Sequence, residues 1–339
     1  MTAAVLVLLS AGLSWWLTGR LRDYALKHDV MDVPNARSSH QQPTPRGGGL
    51  AIVVSFSLAL LVLFFLAMIP DELLLALLLG GGMIAGIGYR DDHRSVSAGV
   101  RMIIHVTAVL LALVLLNVWD LVYPWNPWLP GWMNVPLWTV AIVWLLNLYN
   151  FMDGIDGIAG VEAVFVAASI ALFVFLSQPS GIFLLPLLLA TSVLGFLAWN
   201  WPPATIFMGD VGSAYLGFVL GVLMVVSPDV LSIPVWSWVV LLGVFLVDAT
   251  YTLLRRVSTG QQWYSAHCSH AYQIASRRWR SHQAVTVLVL VINILWLCPL
   301  AFVLMAQEQY WILLIFLAFL PLLVGVYALK AGERSDTST

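Results

Sequence analysis

The chain has 339 residues, of which 61% are hydrophobic and only 9% are charged, and its formal net charge at pH 7 is −2. Soluble domains keep about a quarter of their residues charged. A mean hydropathy of +0.92 therefore excludes a water-soluble globular protein. The small net charge identifies no partner, because the basic residues are gathered in a few segments.

Apolar runs of about 16 to 22 residues, the length of a helix that crosses a bilayer, recur along the whole chain. We predict an all-α, polytopic integral membrane protein that forms one transmembrane domain over residues 1–339. The eleven predicted spans are residues 3–19, 48–69, 72–89, 99–118, 134–150, 160–177, 181–199, 213–228, 234–254, 284–305 and 310–329. The first is interpreted as a retained helix, because no Lys or Arg precedes it as in a signal peptide.

The basic residues predict the orientation. With eleven spans, all fifteen Lys and Arg residues fall on one side of the membrane, which the positive-inside rule makes cytoplasmic. The N-terminus is then periplasmic and the C-terminus cytoplasmic. Cys268 on the inner side and Cys298 inside a span predict no disulfide. The inner segments, which we expect to carry the chemistry, are about 20–47, 90–98, 150–158, 200–212 and 255–282.

The segment Asn147-Leu-Tyr-Asn-Phe-Met-Asp-Gly-Ile-Asp-Gly157 places polar groups at the end of an apolar helix. If the helix continues, Asp153 and Asp156 leave on one face, while the glycines permit a tight turn. That pattern suits a divalent cation that carries phosphate. The alternative is that the acids cap a membrane helix and offset its dipole. Asn147 and Asn150 are candidates for nucleotide or metal contacts.

Two further inner segments carry carboxylates. Asp91 and Asp92 are adjacent between Arg90 and Arg94, so they either share a cation or proton or lie solvated in a turn. Asp210 lies between two glycines at a predicted helix start, which suits a diphosphate beside a metal ligand. The alternative is that Asp210 only caps that helix.

The first inner segment ends in Arg46 and three glycines, Gly47 to Gly49, ahead of a helix. Backbone N–H groups there could approach an anion closely. The segment is not a Walker A loop, since no Gly-Lys-Ser/Thr follows.

The last inner segment carries arginines and two histidines spaced three apart, His267 and His270. Zinc is disfavoured because no further ligands stand nearby. The arginines, Arg255 and Arg256 among them, suit phosphate binding better.

Five ordered motifs, across nearly the whole chain, resemble the polyprenyl-phosphate N-acetylhexosamine-1-phosphate transferases. They are DVPNARSSHQQPTPRGGG, Asp91-Asp92, NLYNFMDGIDG, NWPPATIFMGDVGS and HCSH. The chain looks closer to the undecaprenyl-phosphate N-acetylglucosamine branch than to the muramoyl-pentapeptide branch because of its first inner segment and of Asp248 with Arg255-Arg256. The muramoyl-pentapeptide enzymes have a lysine where this chain has Gln42. HCSHAYQ resembles members that initiate O-antigen and use UDP-N-acetylfucosamine or a related sugar, although Ser269 departs from the His-x-His-His pattern.

The resemblance implies a magnesium-dependent phosphotransferase, with manganese as the other candidate metal, in the bacterial inner membrane with its site on the cytoplasmic face. A UDP-N-acetylhexosamine and undecaprenyl phosphate would be the substrates, and UMP would be released, either by direct attack of the lipid phosphate or through a covalent aspartyl intermediate. Membrane lipid is an expected partner, nucleic acid is not, and a homodimer is compatible with the family. The implied roles are metal binding for Asp210 and Asp153; catalysis for Asp91, Asp92, His267 and His270; and substrate binding for Asn147, Asn150, Asp156, Arg46, Arg255 and Arg256.

Two other functions stay open from the sequence. Acids and glycine-broken helices also build the ion paths of cation-coupled transporters, but those acids lie at mid-depth and here they gather at one face. A non-catalytic scaffold for glycan assembly is the other alternative.

Overall fold

The computed structural model describes residues 2–34, 40, 42–121, 130–178, 180–261 and 267–333. Within these residues the protein is almost entirely α-helical. The helices are α1 Thr2–Lys27, α2 Leu50–Phe65, α3 Asp71–Leu75, α4 Gly81–His93, α5 Ala98–Leu115, α6 Asn134–Met152, α7 Ile158–Ser177, α8 Leu184–Asn200, α9 Asp210–Val226, α10 Val235–Leu241, α11 Gly243–Ser258, α12 Ala271–Trp279, α13 His282–Ile292, α14 Cys298–Ala306 and α15 Trp311–Ala328. A two-residue strand, β1 (Met31–Asp32), pairs antiparallel with β2 (Thr44–Pro45).

The all-α polytopic membrane fold is confirmed. In the part of the chain that the structure describes, 9 helices are long and apolar enough to cross a membrane. The predicted span 234–254 is not one straight helix, because α10 and α11 meet at an angle of 73°. The predicted span 48–69 corresponds to α2, whose 16 residues reach about 24 Å, less than the ~30 Å of a bilayer core.

Three of the long spans contain a π-helical turn, and one of these turns, Ser227–Leu231, forms the end of the span Asp210–Leu231. Ala76–Gly80 joins α3 to α4, and Asn293–Leu297 joins α13 to α14, so each pair continues as one span. The sequence patterns therefore located these spans correctly, although their interior geometry departs from a regular α-helix.

Helix α9 lies at the centre of the bundle. Every residue from Val211 to Val226 is buried, as expected of a helix that is apolar all round. It packs against α4 and α6, and its N-terminal end lies beside the ends of both. Since α4 carries the Asp91-Asp92 pair and α6 carries Asn150, three separate motifs meet at one end of the bundle.

The glycine-rich segment before α2 is bonded to the segment before α9. The N–H groups of Gly48 and Gly49 donate to the carbonyls of Phe207 and Met208 at 3.0 and 2.9 Å, and Phe207 N–H donates to Pro45. The prediction that these two glycine amides face an anion is therefore wrong, because protein carbonyls already accept from them. Their role is to fix the first inner segment against the entrance to α9.

Candidate active site

A polar cavity of about 240 Å³ opens where these helix ends meet. Six of the predicted site residues lie in its wall: Arg46, Asp92, Asn150, Asp153, Asp156 and Asp210. They come from four segments that are far apart in the sequence. Their meeting in one place is the geometric condition that a diphosphate site requires.

The Asp92 carboxylate caps the N-terminal end of α9. Its Oδ1 and Oδ2 accept hydrogen bonds from the N–H groups of Asp210 and Val211, at 3.0 and 3.2 Å. Gly209, with φ +75°, turns the chain into the helix so closely that a Cβ there would meet the Asp92 carboxylate. The first two N–H groups of α9 are thus satisfied by protein, and the predicted diphosphate contact at these amides is not available.

Asp210 is held from both sides. Its Oδ1 accepts from Asn150 Nδ2 at 2.8 Å, and its Oδ2 accepts from Arg101 Nη1 at 3.0 Å. Arg101 Nη1 also contacts Asp91 Oδ2 at 2.6 Å, and Asp91 Oδ1 accepts the N–H of Val96. Asp91 and Arg101 are not in the cavity wall. Both adjacent acids therefore contact Asp210, and among the described residues they have no ion-pair partner in common.

Asp153 lies on the connection between α6 and α7, and not on a helix as the spacing suggested, because α6 ends at Met152. Its carboxyl is half-buried, and no other described residue makes a hydrogen bond or ion pair with it. Burial, reinforced by the charges of Asp210, Asp92 and Asp156, raises the pKa of Asp153 well above its ordinary value. An unpaired carboxyl in an acidic cavity favours a cation.

Asp156 is tied to the wall of the cavity. Its Oδ2 accepts the N–H of Ala204 at 3.0 Å, and its Oδ1 lies 3.2 Å from His282 Nδ1. Burial alone would raise the pKa of Asp156, but these two contacts hold it below its ordinary value. Gly157, with φ +76°, supplies the tight turn that the sequence predicted. Asp156 is thus an ionised carboxylate that contacts Ala204 N–H and His282.

His267 and His270 lie outside the cavity wall. His270 is buried, with Nδ1 3.4 Å from Asp248 Oδ1, and the Asp248 carboxylate also accepts the N–H groups that begin α12. Burial and the neighbouring His270 and Arg256 lower the pKa of His267 to about 4, so its ring is neutral at neutral pH. The segment with His267 and His270 contributes no residue to the cavity wall. It lies next to Tyr272, whose hydroxyl donates to Phe151 O.

Three other predicted binding residues face elsewhere. Asn147 donates to Val143 O within its own helix. Arg255 contacts Glu333 at 2.7 Å and Ala331 O at 3.1 Å near the C-terminus, and Arg256 contacts Gln261 at 2.9 Å. None of the three lies in the cavity wall, so their substrate-binding roles stay predictions.

Several cavity residues were not predicted. His40 and Asp32 reach the wall from the first inner segment, Gln273 from α12 and His282 from the start of α13. Arg101 was missed as well, although a signal existed, since it is a lone arginine in the first turn of an apolar span. For His282 no local pattern exists, because its partner Asp156 is 126 residues away.

The residues present fit a magnesium ion that is shared with a substrate. Among the described residues, no group of three His, Cys, Asp or Glu side chains could hold a metal ion alone. Magnesium in phosphoryl-transfer sites is usually held by one or two carboxylates, waters and substrate phosphates. The unpaired Asp153, with Asp210 as a second carboxylate on the same cavity, supplies that donor set.

Residues 74–228 match the family described as glycosyl transferase family 4. A probable undecaprenyl-phosphate N-acetylglucosaminyl 1-phosphate transferase of Bacillus subtilis is 26% identical over 321 residues, 93% of this chain and 88% of the relative. A decaprenyl-phosphate N-acetylglucosaminephosphotransferase of Mycolicibacterium smegmatis is 28% identical, over 88% of this chain and 80% of the relative. An undecaprenyl-phosphate alpha-N-acetylglucosaminyl 1-phosphate transferase of Salmonella typhi is 24% identical, over 81% and 77%. None of these three is named as a transporter.

Proposed function

We propose that the chain is a polyprenyl-phosphate N-acetylhexosamine-1-phosphate transferase of glycosyl transferase family 4, and that it uses a UDP-sugar and undecaprenyl phosphate. An oxygen of the lipid phosphate attacks the sugar-linked phosphorus. The bond from that phosphorus to the UMP oxygen breaks, so UMP leaves and a lipid-linked diphosphate sugar remains.

The observation that carries the proposal is the acidic cavity. Five carboxylates, on Asp32, Asp92, Asp153, Asp156 and Asp210, line it together with Arg46 and His282. Two anionic reactants repel each other, so a site that joins them needs fixed cations and a place for a metal ion. Arg46 supplies a fixed cation and the carboxylates supply a place for the metal ion, and the cavity lies at the end of the bundle where the acceptor phosphate would meet a water-soluble donor.

The chain's own residues have separable tasks in this reaction. Arg46 and His282 hold and orient diphosphate oxygens. Of the two acids predicted to keep the lipid phosphate deprotonated, Asp92 lies at the cavity and receives that role. Asn150 holds Asp210 in orientation. Magnesium, held by Asp153 and Asp210, would screen the reactants and stabilise charge on the departing UMP.

The finer features of the proposal are the donor and the pathway. We propose an N-acetylhexosamine donor such as UDP-N-acetylglucosamine or UDP-N-acetylfucosamine, and initiation of O-antigen or a related envelope glycan at the cytoplasmic face of the inner membrane. The HCSHAYQ segment and the N-acetylglucosamine named in the relatives support this choice.

The test is a transfer assay on purified protein in detergent. The protein receives magnesium, undecaprenyl phosphate and, in turn, each member of a panel of UDP-sugars, and UMP release and the mass of the lipid product are recorded. Asp153→Asn should lower kcat on the order of 10²-fold. Asp229→Asn, a matched change at an exposed acid outside the cavity wall, should match wild type. Wild-type protein that forms no lipid-linked product from any UDP-sugar would overturn the proposal.

A further inference from the structure

Arg101 joins two carboxylates that come from different motifs. Its Nη1 lies 2.6 Å from Asp91 Oδ2 and 3.0 Å from Asp210 Oδ2. Asp210 is 109 residues away from Arg101 in the sequence. The three side chains stand on α4, α5 and α9, so this contact connects the ends of three helices. Arg101 lies next to the cavity but not in its wall, so it is not placed to bind the substrate.

The charges make the contact necessary. Asp91 and Asp210 are close enough to share one guanidinium nitrogen, and Asp92 sits on the N–H of Asp210. Carboxylates this close repel each other unless a cation or a shared proton lies between them. Arg101 is that cation, and a guanidinium suits the task because it stays charged and offers several donors in a fixed plane.

The same contact fixes an orientation. Asp210 has Arg101 on one oxygen and Asn150 on the other, so its carboxylate plane is set by two donors on opposite sides. Asp91 in turn has Val96 N–H on one oxygen and Arg101 on the other. Asp91 thus has the contacts of a residue that anchors Arg101, and among the described residues its carboxyl reaches the cavity wall only through Asp210.

We propose that Arg101 is a positioning residue that holds the Asp210 carboxylate for the transfer reaction, and that Asp91 acts through Arg101 and not on the substrate. This inference rests on the proposed function, and it replaces the sequence-derived role of Asp91 in deprotonating the lipid phosphate with a structural one.

The test is a double-mutant cycle on kcat with Arg101→Met, Asp91→Asn and the double variant. Misplacing a reacting group by about 1 Å can cost on the order of 10²-fold, and we expect a loss of that order for Arg101→Met. The double variant should be no slower than Arg101→Met, because Asp91 has nothing left to anchor. Arg101→Lys should recover part of the activity, since an ammonium can still contact one carboxylate.

A second cycle measures the apparent melting temperature without substrate or metal. Arg101→Met should lower it, because two neighbouring carboxylates lose their shared cation, and adding Asp91→Asn should lower it no further. Arg90→Met is the matched control, since the Arg90 side chain is exposed on α4, and both its kcat and its melting temperature should match wild type.

The outcomes separate the two proposals. If wild type transfers sugar phosphate but the losses of Asp91→Asn and Arg101→Met multiply in the double variant, Asp91 acts independently and this inference is wrong. If wild type transfers none, the proposed function itself fails.

Discussion

Asp91 and Asp92 show how much one step along a helix changes a side chain's surroundings. Successive residues of an α-helix point about 100° apart. Asp91 therefore faces Arg101 on α5, while Asp92 faces the first N–H groups of α9. The sequence shows two identical carboxyls at the end of an apolar helix, and it contains no local information on which of them reaches the cavity.

Glu162 and Asn293 form a pair inside the bundle, away from the cavity. Both are 0% exposed, and Asn293 Nδ2 donates to Glu162 Oε2 at 2.6 Å. Asn293→Leu should destabilise the protein by about 1–3 kcal/mol, because the carboxyl would remain buried without its partner. Unfolding in detergent monitored by circular dichroism measures this. Adding Glu162→Met should restore most of the loss; a double variant that is less stable than Asn293→Leu would contradict the pairing.

Asp156 should make stability depend on acidity. Its pKa is lowered in the folded protein, so the folded state binds this proton less readily than the unfolded state. The resulting stabilisation is present above the ordinary Asp pKa of about 4 and is lost as pH falls through the lower folded value. Melting temperatures recorded from about pH 6 to pH 3 should therefore fall less steeply for Asp156→Asn than for wild type. Asp71→Asn, a change at an exposed acid, should keep the wild-type slope.

At the scale of helices and loops, hydropathy located the spans because it records what lipid demands of each segment. It did not reveal the bend between α10 and α11, or the end of α6 before Asp153, because hydropathy records how apolar a segment is and not where its backbone turns. The glycine-rich segment shows the same limit. Its glycines permit another group to approach the backbone closely. Only the fold shows that this group is the pair of carbonyls of Phe207 and Met208, and not an anion.

The C-terminal end of the described chain is hydrogen-bonded to the segment that carries His267 and His270. Arg255 contacts Glu333 and Ala331 O, Gln261 donates to Gly332 O at 2.9 Å, and Gly332 N–H donates to Ser269 O at 2.9 Å. These contacts give residues 331–333 a role in holding the loop behind the cavity. They also compete with the predicted binding of phosphate by Arg255.

Two variants separate these readings of Arg255. The Arg255–Glu333 pair is partly exposed, and such pairs contribute about 0–1 kcal/mol, so Glu333→Gln should change little. Arg255→Met also removes the bond to Ala331 O and should speed hydrogen–deuterium exchange in peptides from 255–270 and 329–333. If Arg255→Met instead abolishes transfer with unchanged exchange, the sequence-derived role in phosphate binding is correct.

For the molecule as a whole, the contacts place the start of α1 and residues 331–333 at opposite ends of the bundle. The C-terminal end of α1 leads into Asp32, which lies in the cavity wall, so the N-terminal end of α1 points away from the cavity. Ala331 and Gly332 contact Arg255 and Ser269 at the cavity end. Ends on opposite sides require an odd number of crossings among the described residues, and eleven follow when α2 and the bent pair α10–α11 each cross once.

The orientation predicted from the basic residues then has a direct test with the chain's own cysteine. Cys268 lies in the segment between α11 and α12, at the cavity end, and is a partly exposed free thiol. A membrane-impermeant maleimide should label it only after the inner membrane of spheroplasts is opened, because the positive-inside rule places that end in the cytoplasm. Gln309→Cys in a Cys268→Ser background puts a thiol on an exposed residue at the opposite end and should be labelled in intact spheroplasts. Cys298, inside a span, is common to both variants, and a Cys268→Ser sample measures its background.

The opposite orientation would give the opposite labelling: Cys268 would be labelled before the membrane is opened, or Gln309→Cys only after it. That result would place the acidic cavity outside the cell, where nucleotide sugars are not supplied, and would contradict the orientation on which a UDP-sugar donor depends.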